Sequence, residues 1–266
     1  MKKSVKISFL IRENRIYMKP EELIKEIEKR LSKTDVTSKV TNQGIIESVG
    51  DGIVIASGLS GAGYGEVVEF EDSSRGEAGG SEGFVLNLNE DTVSIVLLTA
   101  DSKLVEGQTV KATGKILGIN VSDDVIGRVV DPLMNPLDGK QLKKTGKFYP
   151  IETIAPGVVK RSPVDTPLKT GIKAVDSMIP IGRGQRQLII GDRNTGKSTI
   201  AIDTIINQKK KDLGLPQVIC IYTAIGQKRG NIAQIMGRLT DAGAMDYSVI
   251  VAASASDPAS LQYLAP

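Results

Sequence analysis

Between about residues 36 and 115 the apolar positions recur every second residue. Five runs carry the alternation, at 44–49, 53–56, 65–70, 84–88 and 93–98, with Gly, Asp, Asn and Ser between them. A period of two puts one face of each run in a core and the other in solvent, which predicts short strands joined by turns. Many short strands at close spacing predict a small closed β-barrel. Residues 58–63 spell G-x-x-G-x-G, but they join strand to strand. A dinucleotide loop needs a helix after it, so a turn is expected here.

The pattern changes near residues 112–116, where a domain boundary is expected. Residues 129–139 are turn-rich, and Pro156, Pro163 and Pro167 continue them as an extended connector. Helical and continuous apolar runs then alternate. Residues 172–178 predict a short helix and 187–190 a strand. Residues 197–211 predict a helix that is apolar nearly all round, and residues 218–222 a strand. Residues 231–239 predict a helix with Ile232, Ile235, Met236 and Leu239 on one side, and residues 247–253 a buried strand. Lys209, Lys210 and Lys211 suit a helix C-terminus, and Pro216 stops that helix. Strand–helix alternation predicts a parallel sheet covered by helices. Ahead of the barrel, residues 20–31 form an amphipathic helix with Leu23, Ile24, Ile27 and Leu31 as its stripe. It either packs on its own domain or docks on a partner. Residues 1–17 are basic and without period, and read as an extension.

Composition narrows the chemistry. The chain has 266 residues, room for one large or two smaller domains, and a net charge of only +3. Bulk charge makes no case for nucleic acid, and the barrel segment has few aromatics for base stacking and no basic stripe. With no histidine, His-based acid–base chemistry and His-ligated metals are excluded. The single Cys220 excludes an internal disulfide and cysteine-cluster metal sites; it lies in an apolar run and reads as a structural thiol. No apolar run approaches membrane-spanning length, and the N-terminal run is too short for a signal peptide. A soluble protein in a reducing compartment is expected.

The candidate site is Gly191, Asp192, Arg193, Asn194, Thr195, Gly196, Lys197 and Ser198, which fits G-x-x-x-x-G-K-[ST] with an apolar run before it and a helical run after it. Glycines at both ends let successive backbone N–H groups turn inward onto phosphate oxygens. The helix that opens after Gly196 adds its positive end. Lys197 can reach the β- and γ-phosphates, and the Ser198 hydroxyl can sit on Mg²⁺. Thr199 continues the first turn.

Beyond this loop the chain resembles the alpha subunits of the F-type rotary ATP synthases. The resemblance runs from about residue 20 to 266. Its most specific stretch is 167–186 leading into 191–198, and residues 224–229 and 254–258 add to it. It implies a multi-domain chain: an N-terminal extension and helix (1–35), a six-stranded β-barrel crown (36–114) and a RecA-like α/β P-loop domain (115–266), the last incomplete. It implies ATP or ADP with Mg²⁺ as ligands. The implied partners are the beta subunit in an alternating hexamer, the gamma shaft, and the delta or peripheral-stalk subunit through the N-terminal helix, with no nucleic acid. The membrane is reached only through the complex, on the cytoplasmic face of a bacterial plasma membrane or its organelle-encoded equivalent. The role implied is regulatory and non-catalytic, within proton-driven ATP synthesis. The family pattern continues past residue 266 into an acidic Mg²⁺-orienting strand, an arginine for the neighbouring site, adenine-holding residues and a helical domain, so a truncated version is expected. Asn194 stands where the family usually has glutamine, a small change for a backbone cradle.

Gln227 separates the leading reading from its alternatives. The resemblance places it where related catalytic subunits carry a glutamate that activates water. An amide cannot accept that proton at neutral pH. It can hydrogen-bond a γ-phosphate or a water, or it can simply cap the following helix. The alternatives are a catalytic subunit of a related hexameric secretion-type ATPase, which glutamate at 227 would have favoured, and an empty structural scaffold.

Overall fold

The computed structural model describes residues 42–71, 81–99, 104–142, 146–209 and 216–266. The expected extension and helix at 1–35, and Lys210 and Lys211, lie outside the described residues.

Alternation produces the first half of the fold. Strands β1 (Gln43–Gly50), β2 (Ile53–Ser57), β3 (Glu66–Phe70), β4 (Glu82–Leu88), β5 (Thr92–Leu97) and β6 (Thr109–Ile116) close a barrel in the order β1-β2-β5-β4-β3-β6. All neighbours are antiparallel. Ile46, Val54, Val68, Val85, Ile95 and Val110 fill the interior, while Ile45, Ile53 and Ile55 point outward and are exposed. Burying each such aliphatic is worth about 1.5–3 kcal/mol. A one-residue register slip would turn the whole set outward, so the pairing is fixed. Asp51 (φ 50°) and Gly52 (φ 78°) make the two-residue turn between β1 and β2, with the positive φ values that match strand twist. The G-x-x-G-x-G stretch is a turn from β2 to β3, with the Ala62 N–H donating to the Leu59 carbonyl at 3.0 Å. Strand β6 runs through residues 112–116, where the sequence pattern suggested a boundary.

Beyond the barrel, β7 (Gly118–Val121) and β9 (Lys147–Pro150) form an antiparallel ribbon. The connector also contains β8 (Val129–Val130), which the turn-rich pattern concealed. A second short pair, β10 (Pro167–Leu168) and β11 (Ile181–Gly182), flanks helix α1 (Lys173–Met178). Helix α2 (Lys197–Ile206), β12 (Cys220–Gln227), helix α3 (Arg229–Asp241), β13 (Ser248–Ser254) and helix α4 (Ala259–Leu264) follow. The sheet is parallel, as expected, in the order β12-β13-β8. All seven residues of β13 are buried. Ile202 and Ile205 of α2 and Ile232, Ile235 and Leu239 of α3 pack on Ile250, Ala252 and Ala224 of the sheet. Phe84, Leu98 and Leu117 join the barrel to Leu133, Ile151 and Leu264, and the Ser260 hydroxyl donates to the Leu97 carbonyl at 2.5 Å.

Three expectations are corrected. Residues 187–190 are not a strand: they pair with no strand among the described residues, and Leu188 and Ile190 are 76% and 86% exposed. Apolar content alone does not make a strand, because a strand needs a neighbour for its N–H and C=O groups. Helix α2 is shorter than expected and buries one face, with Ile200 at 38% exposure. Strand β12 is likewise covered on one face only, leaving Ile221 and Ile225 exposed.

The connector is stabilised locally. The Asp131 carboxylate accepts from the N–H groups of Leu133 (2.9 Å) and Asn135 (2.7 Å), which tightens the turn at Met134. Met134 has φ 64°, a left-handed conformation that costs a bulky residue about 1 kcal/mol. Its side chain meets the cluster of Val130, Val249 and Val251. Nearby, Arg128 pairs with Asp138 in a fork, with Nη2–Oδ1 at 2.6 Å, and both side chains are largely buried. The guanidinium, helped by the Lys140 N–H, holds the Asp138 carboxyl at about 2 against an ordinary 3.8.

Met134→Gly is expected to relieve the strained turn at the expense of a partly buried side chain. Strain relief of about 1 kcal/mol is offset by the lost contact and the freer unfolded glycine, so the variant should lie within about 1 kcal/mol of the parent in urea unfolding, where a large-to-small change in an unstrained core would cost about 2–5 kcal/mol. For Asp138 the folded pKa is depressed, so its contribution is fully present above the unfolded pKa near 3.8 and is lost as pH falls toward about 2. Asp138→Asn should lower stability at neutral pH by about 1–2 kcal/mol after allowing for solvent screening, and the gap to the parent should close toward pH 2. Urea unfolding of both proteins across that pH range checks it.

Candidate functional site

The loop from Gly191 to Ser198 turns on two left-handed residues, Asn194 (φ 59°) and Gly196 (φ 92°). Gly196 sits directly before α2, whose first turn has no side-chain cap. The opening N–H groups of a helix without such a cap form an anion site. At the other end of the loop a Cβ on Gly191 would lie 2.7 Å from the Thr195 hydroxyl, so a larger residue there would have to displace that side chain. Thr195 Oγ1 donates to the Asp192 carbonyl at 2.8 Å, and the Asp192 carboxylate accepts from the Arg193 N–H at 2.8 Å. Lys197 Nζ donates to the carbonyl of Gly191 at 2.7 Å and to that of Asp192. Ser198 and Thr199 follow, exposed, on the first turn. The eight expected loop residues and Thr199 are therefore contiguous in space as in sequence.

Helix α2 carries this loop and is fastened at its far end. Tyr247 donates its hydroxyl to the carbonyls of Ile205 and Ile206, both at 3.1 Å. Asn207 Nδ2 donates to the Thr170 carbonyl at 2.9 Å, and Gln208 Nε2 to the Lys169 carbonyl at 2.7 Å. Thr170 is itself locked: the Asp176 carboxylate accepts its N–H at 2.9 Å, its hydroxyl at 2.6 Å and the Gly171 N–H at 2.9 Å. The Thr170 hydroxyl leads the interactions that hold the Asp176 carboxyl below the ordinary carboxylate value. The sequence pattern places Asp176, Asn207 and Gln208 on predicted helices but does not connect them. The weak signal available was a Thr-Gly pair just ahead of a short helix bearing an acid in its first turn.

Gln227 ends β12, after the left-handed Gly226 (φ 64°) and a register shift between Ile225 and Gln227. It does not cap α3, whose N-cap is Lys228 with no side-chain bond. Its Nε2 donates to the Tyr222 hydroxyl at 3.3 Å, and its main-chain carbonyl accepts from the Ala255 N–H at 3.1 Å. The structure thus ties Gln227 to its own strand and to the end of β13, not by hydrogen bonds to the loop. Arg229 then pairs with Asp257 at 3.2 Å, and Asp257 also accepts from the Ser254 N–H at 2.7 Å. Burial pushes the Asp257 carboxyl up, but the Ser254 and Arg229 donors outweigh it and leave it below the ordinary value. Burial raises the Cys220 thiol, in keeping with a structural role.

Among the described residues no helix is long and apolar enough to cross a membrane. No group of three or more acidic or cysteine side chains that could hold a metal by itself occurs there either.

Two family models match the chain. The ATP synthase alpha/beta family beta-barrel domain covers residues 40–114, and the ATP synthase alpha/beta family nucleotide-binding domain covers residues 171–266. The second includes the whole loop and Gln227. Among curated proteins, "ATP synthase subunit alpha" of Desulforudis audaxviator (strain MP104C) is 50% identical over 249 residues, 94% of this chain and 47% of that protein. "ATP synthase subunit alpha 2" of Hahella chejuensis (strain KCTC 2396) is 49% identical over 94% of this chain and 46% of its own length. "ATP synthase subunit alpha" of Aquifex aeolicus (strain VF5) is 50% identical over 92% of this chain and 46% of its own. The chain spans about half the length of the curated relatives it matches. With a closed six-stranded barrel, a phosphate-type loop ahead of a helix, and this similarity along nearly its whole length, the chain belongs to the ATP synthase alpha/beta family, with the alpha subunits as its relatives.

Proposed function

We propose that this chain is the barrel-and-loop portion of a regulatory, non-catalytic alpha-type subunit of an F-type ATP synthase, binding ATP or ADP without turning it over. The observation that carries the reading is a pair of residues. Among the described residues Lys197 at the loop has main-chain carbonyls as its hydrogen-bond partners, and Gln227 is an amide at the position where the resemblance sets the glutamate of catalytic subunits. The cradle would be made by Gly191, Asp192, Arg193, Asn194, Thr195, Gly196, Lys197, Ser198 and Thr199, with Gln227 reading the terminal phosphate or a water. Mg²⁺ fits the donor set: a hard cation takes a hydroxyl oxygen from Ser198 and completes its shell with nucleotide phosphates and water, without a protein carboxylate cage. When bound, the metal would neutralise phosphate charge; the chain's own residues would bind and orient it.

The proposed setting is proton-driven ATP synthesis, with beta subunits alternating in a hexamer, a gamma shaft inside it, and a delta or peripheral-stalk subunit meeting residues 1–35. In that setting residues 36–114 act as the crown and 115–266 as the nucleotide domain. The complex lies peripherally on the cytoplasmic face of a membrane. Similarity to alpha subunits supports this setting.

MgATP titration of the pure chain tests the core of the proposal. Lys197→Ala removes a charge-assisted contact worth about 1.5–3 kcal/mol, so affinity should fall at least tenfold. Unchanged affinity would move the site elsewhere and sink the reading.

Gln227→Glu is expected to bind MgATP as the parent does and to hydrolyse it no faster. A general base is worth about 10²–10⁴ in rate only with the other groups in place. A trans arginine, worth roughly 10³–10⁵, has to come from a neighbouring subunit. Single-turnover assays with protein in excess over labelled ATP check this, and rapid hydrolysis by the variant alone would contradict it.

A further inference from the structure

The hydrogen bonds of the loop distinguish two kinds of contact. The Asp192 carbonyl accepts from two donors, the Lys197 ammonium and the Thr195 hydroxyl at 2.8 Å. The Gly191 carbonyl accepts from Lys197 at 2.7 Å. Lys197 is therefore a brace across the loop in this structure. It is also the group that a phosphate would claim, since an ammonium binds a phosphate oxygen more strongly than a neutral carbonyl. When it leaves, the two carbonyls lose their ionic partner and the loop loses one of its two cross-links.

Thr195 has no such conflict. It stands between two left-handed residues, Asn194 and Gly196, in the sharpest part of the loop, where the non-glycine Asn194 bears the strain. Its Oγ1 occupies the space a Cβ on Gly191 would need, 2.7 Å away, so its side chain closes the neck of the loop over the Gly191 Cα. The hydroxyl spans three residues, from Thr195 back to Asp192, and it points at a carbonyl rather than at the cradle.

We propose that Thr195 is a positioning residue for phosphate binding: its side-chain hydroxyl keeps the loop in its cradle shape while Lys197 exchanges the Gly191 and Asp192 carbonyls for the phosphate. The proposal rests on the phosphate-loop reading above and assigns its side chain a task separate from backbone donation. Thr195 does not itself touch the ligand through its side chain. The exchange is one of hydrogen bonds only: the ammonium keeps its proton, and the Asp192 carbonyl keeps the Thr195 donor throughout.

The test titrates the full chain with MgATP and with inorganic tripolyphosphate, which has no adenine to bind elsewhere. Four proteins are compared: parent, Thr195→Val, Thr195→Ser and Lys197→Ala. Valine keeps the shape of threonine and removes the hydroxyl; serine keeps the hydroxyl. Loss of one neutral hydrogen bond should weaken Thr195→Val about threefold to tenfold for both ligands, with Thr195→Ser within about twofold of the parent. The thermal midpoint of Thr195→Val should match the parent, because the residue is exposed. Binding by Thr195→Val equal to the parent, while Lys197→Ala is weakened, overturns the inference and leaves the phosphate-loop reading intact. A Thr195→Ser protein as weak as Thr195→Val also overturns it. Failure of the parent to bind either ligand, or no change in Lys197→Ala, overturns the reading and the inference together.

Discussion

Strand β13 is paired along one edge by β12, over part of the other by β8, and buried along its whole length, and the rest of the α/β half is placed by it. A parallel strand paired on both sides and buried on both faces is strongly held in register. At its amino end, Tyr247 reaches back to the last carbonyls of α2. At its carboxyl end, Ser254 passes the chain to Asp257 and then to α4, whose Ser260 bonds the barrel strand β5 at Leu97. One strand thus connects the helix that carries the loop, the end of β12 that carries Gln227, and the barrel.

The loop hangs from its helix rather than from a strand. Residues 187–190 have no strand partner among the described residues, so the loop's position depends on α2. A ten-residue helix is marginal by itself. Burial of Ile202 and Ile205 contributes roughly 3–6 kcal/mol together before entropy is counted. The bonds from Tyr247, Asn207 and Gln208 then fix where the helix ends. Because helices are stiff along their axis, fixing the last turn fixes the first, where Lys197 and Ser198 sit.

The parts legible in the sequence were those whose signal is local. Five of the six barrel strands announced themselves by alternation. Strand β6 did not, because within Thr109–Ile116 only Val110 is buried and the Thr113 hydroxyl, bonding the Val67 carbonyl at 2.6 Å, replaces an apolar contact. Strand β8 is two residues long and takes its identity from β13, far away in sequence. The reverse error at 187–190 has the same origin, an apolar run whose state is decided by a neighbour. The loop was readable because its geometry is written within eight consecutive residues. The clasp of Thr170, Asp176 and Asn207 was not, since Thr170 and Asn207 are 37 residues apart and nothing in either neighbourhood names the other.

Binding without turnover, as proposed, is supported by what three acids of the α/β half are already doing. A general base works best with a pKa near the working pH, which requires a carboxylate deprived of donors. One carboxylate of the loop and two that fasten the elements carrying it and Gln227 are supplied with donors instead. Asp192 accepts from the Arg193 N–H, Asp176 from Thr170 and Gly171, and Asp257 from Ser254 and Arg229. For Asp176 and Asp257 the result is a carboxyl held below its ordinary value, the wrong direction for abstracting a proton from water. The loop contributes N–H groups, an ammonium and hydroxyls, which suit an anion, and the acids nearby serve as braces for backbone. The proposed reading, a site that holds a phosphate without turning it over, is consistent with the donors these three acids already have and with an amide at 227.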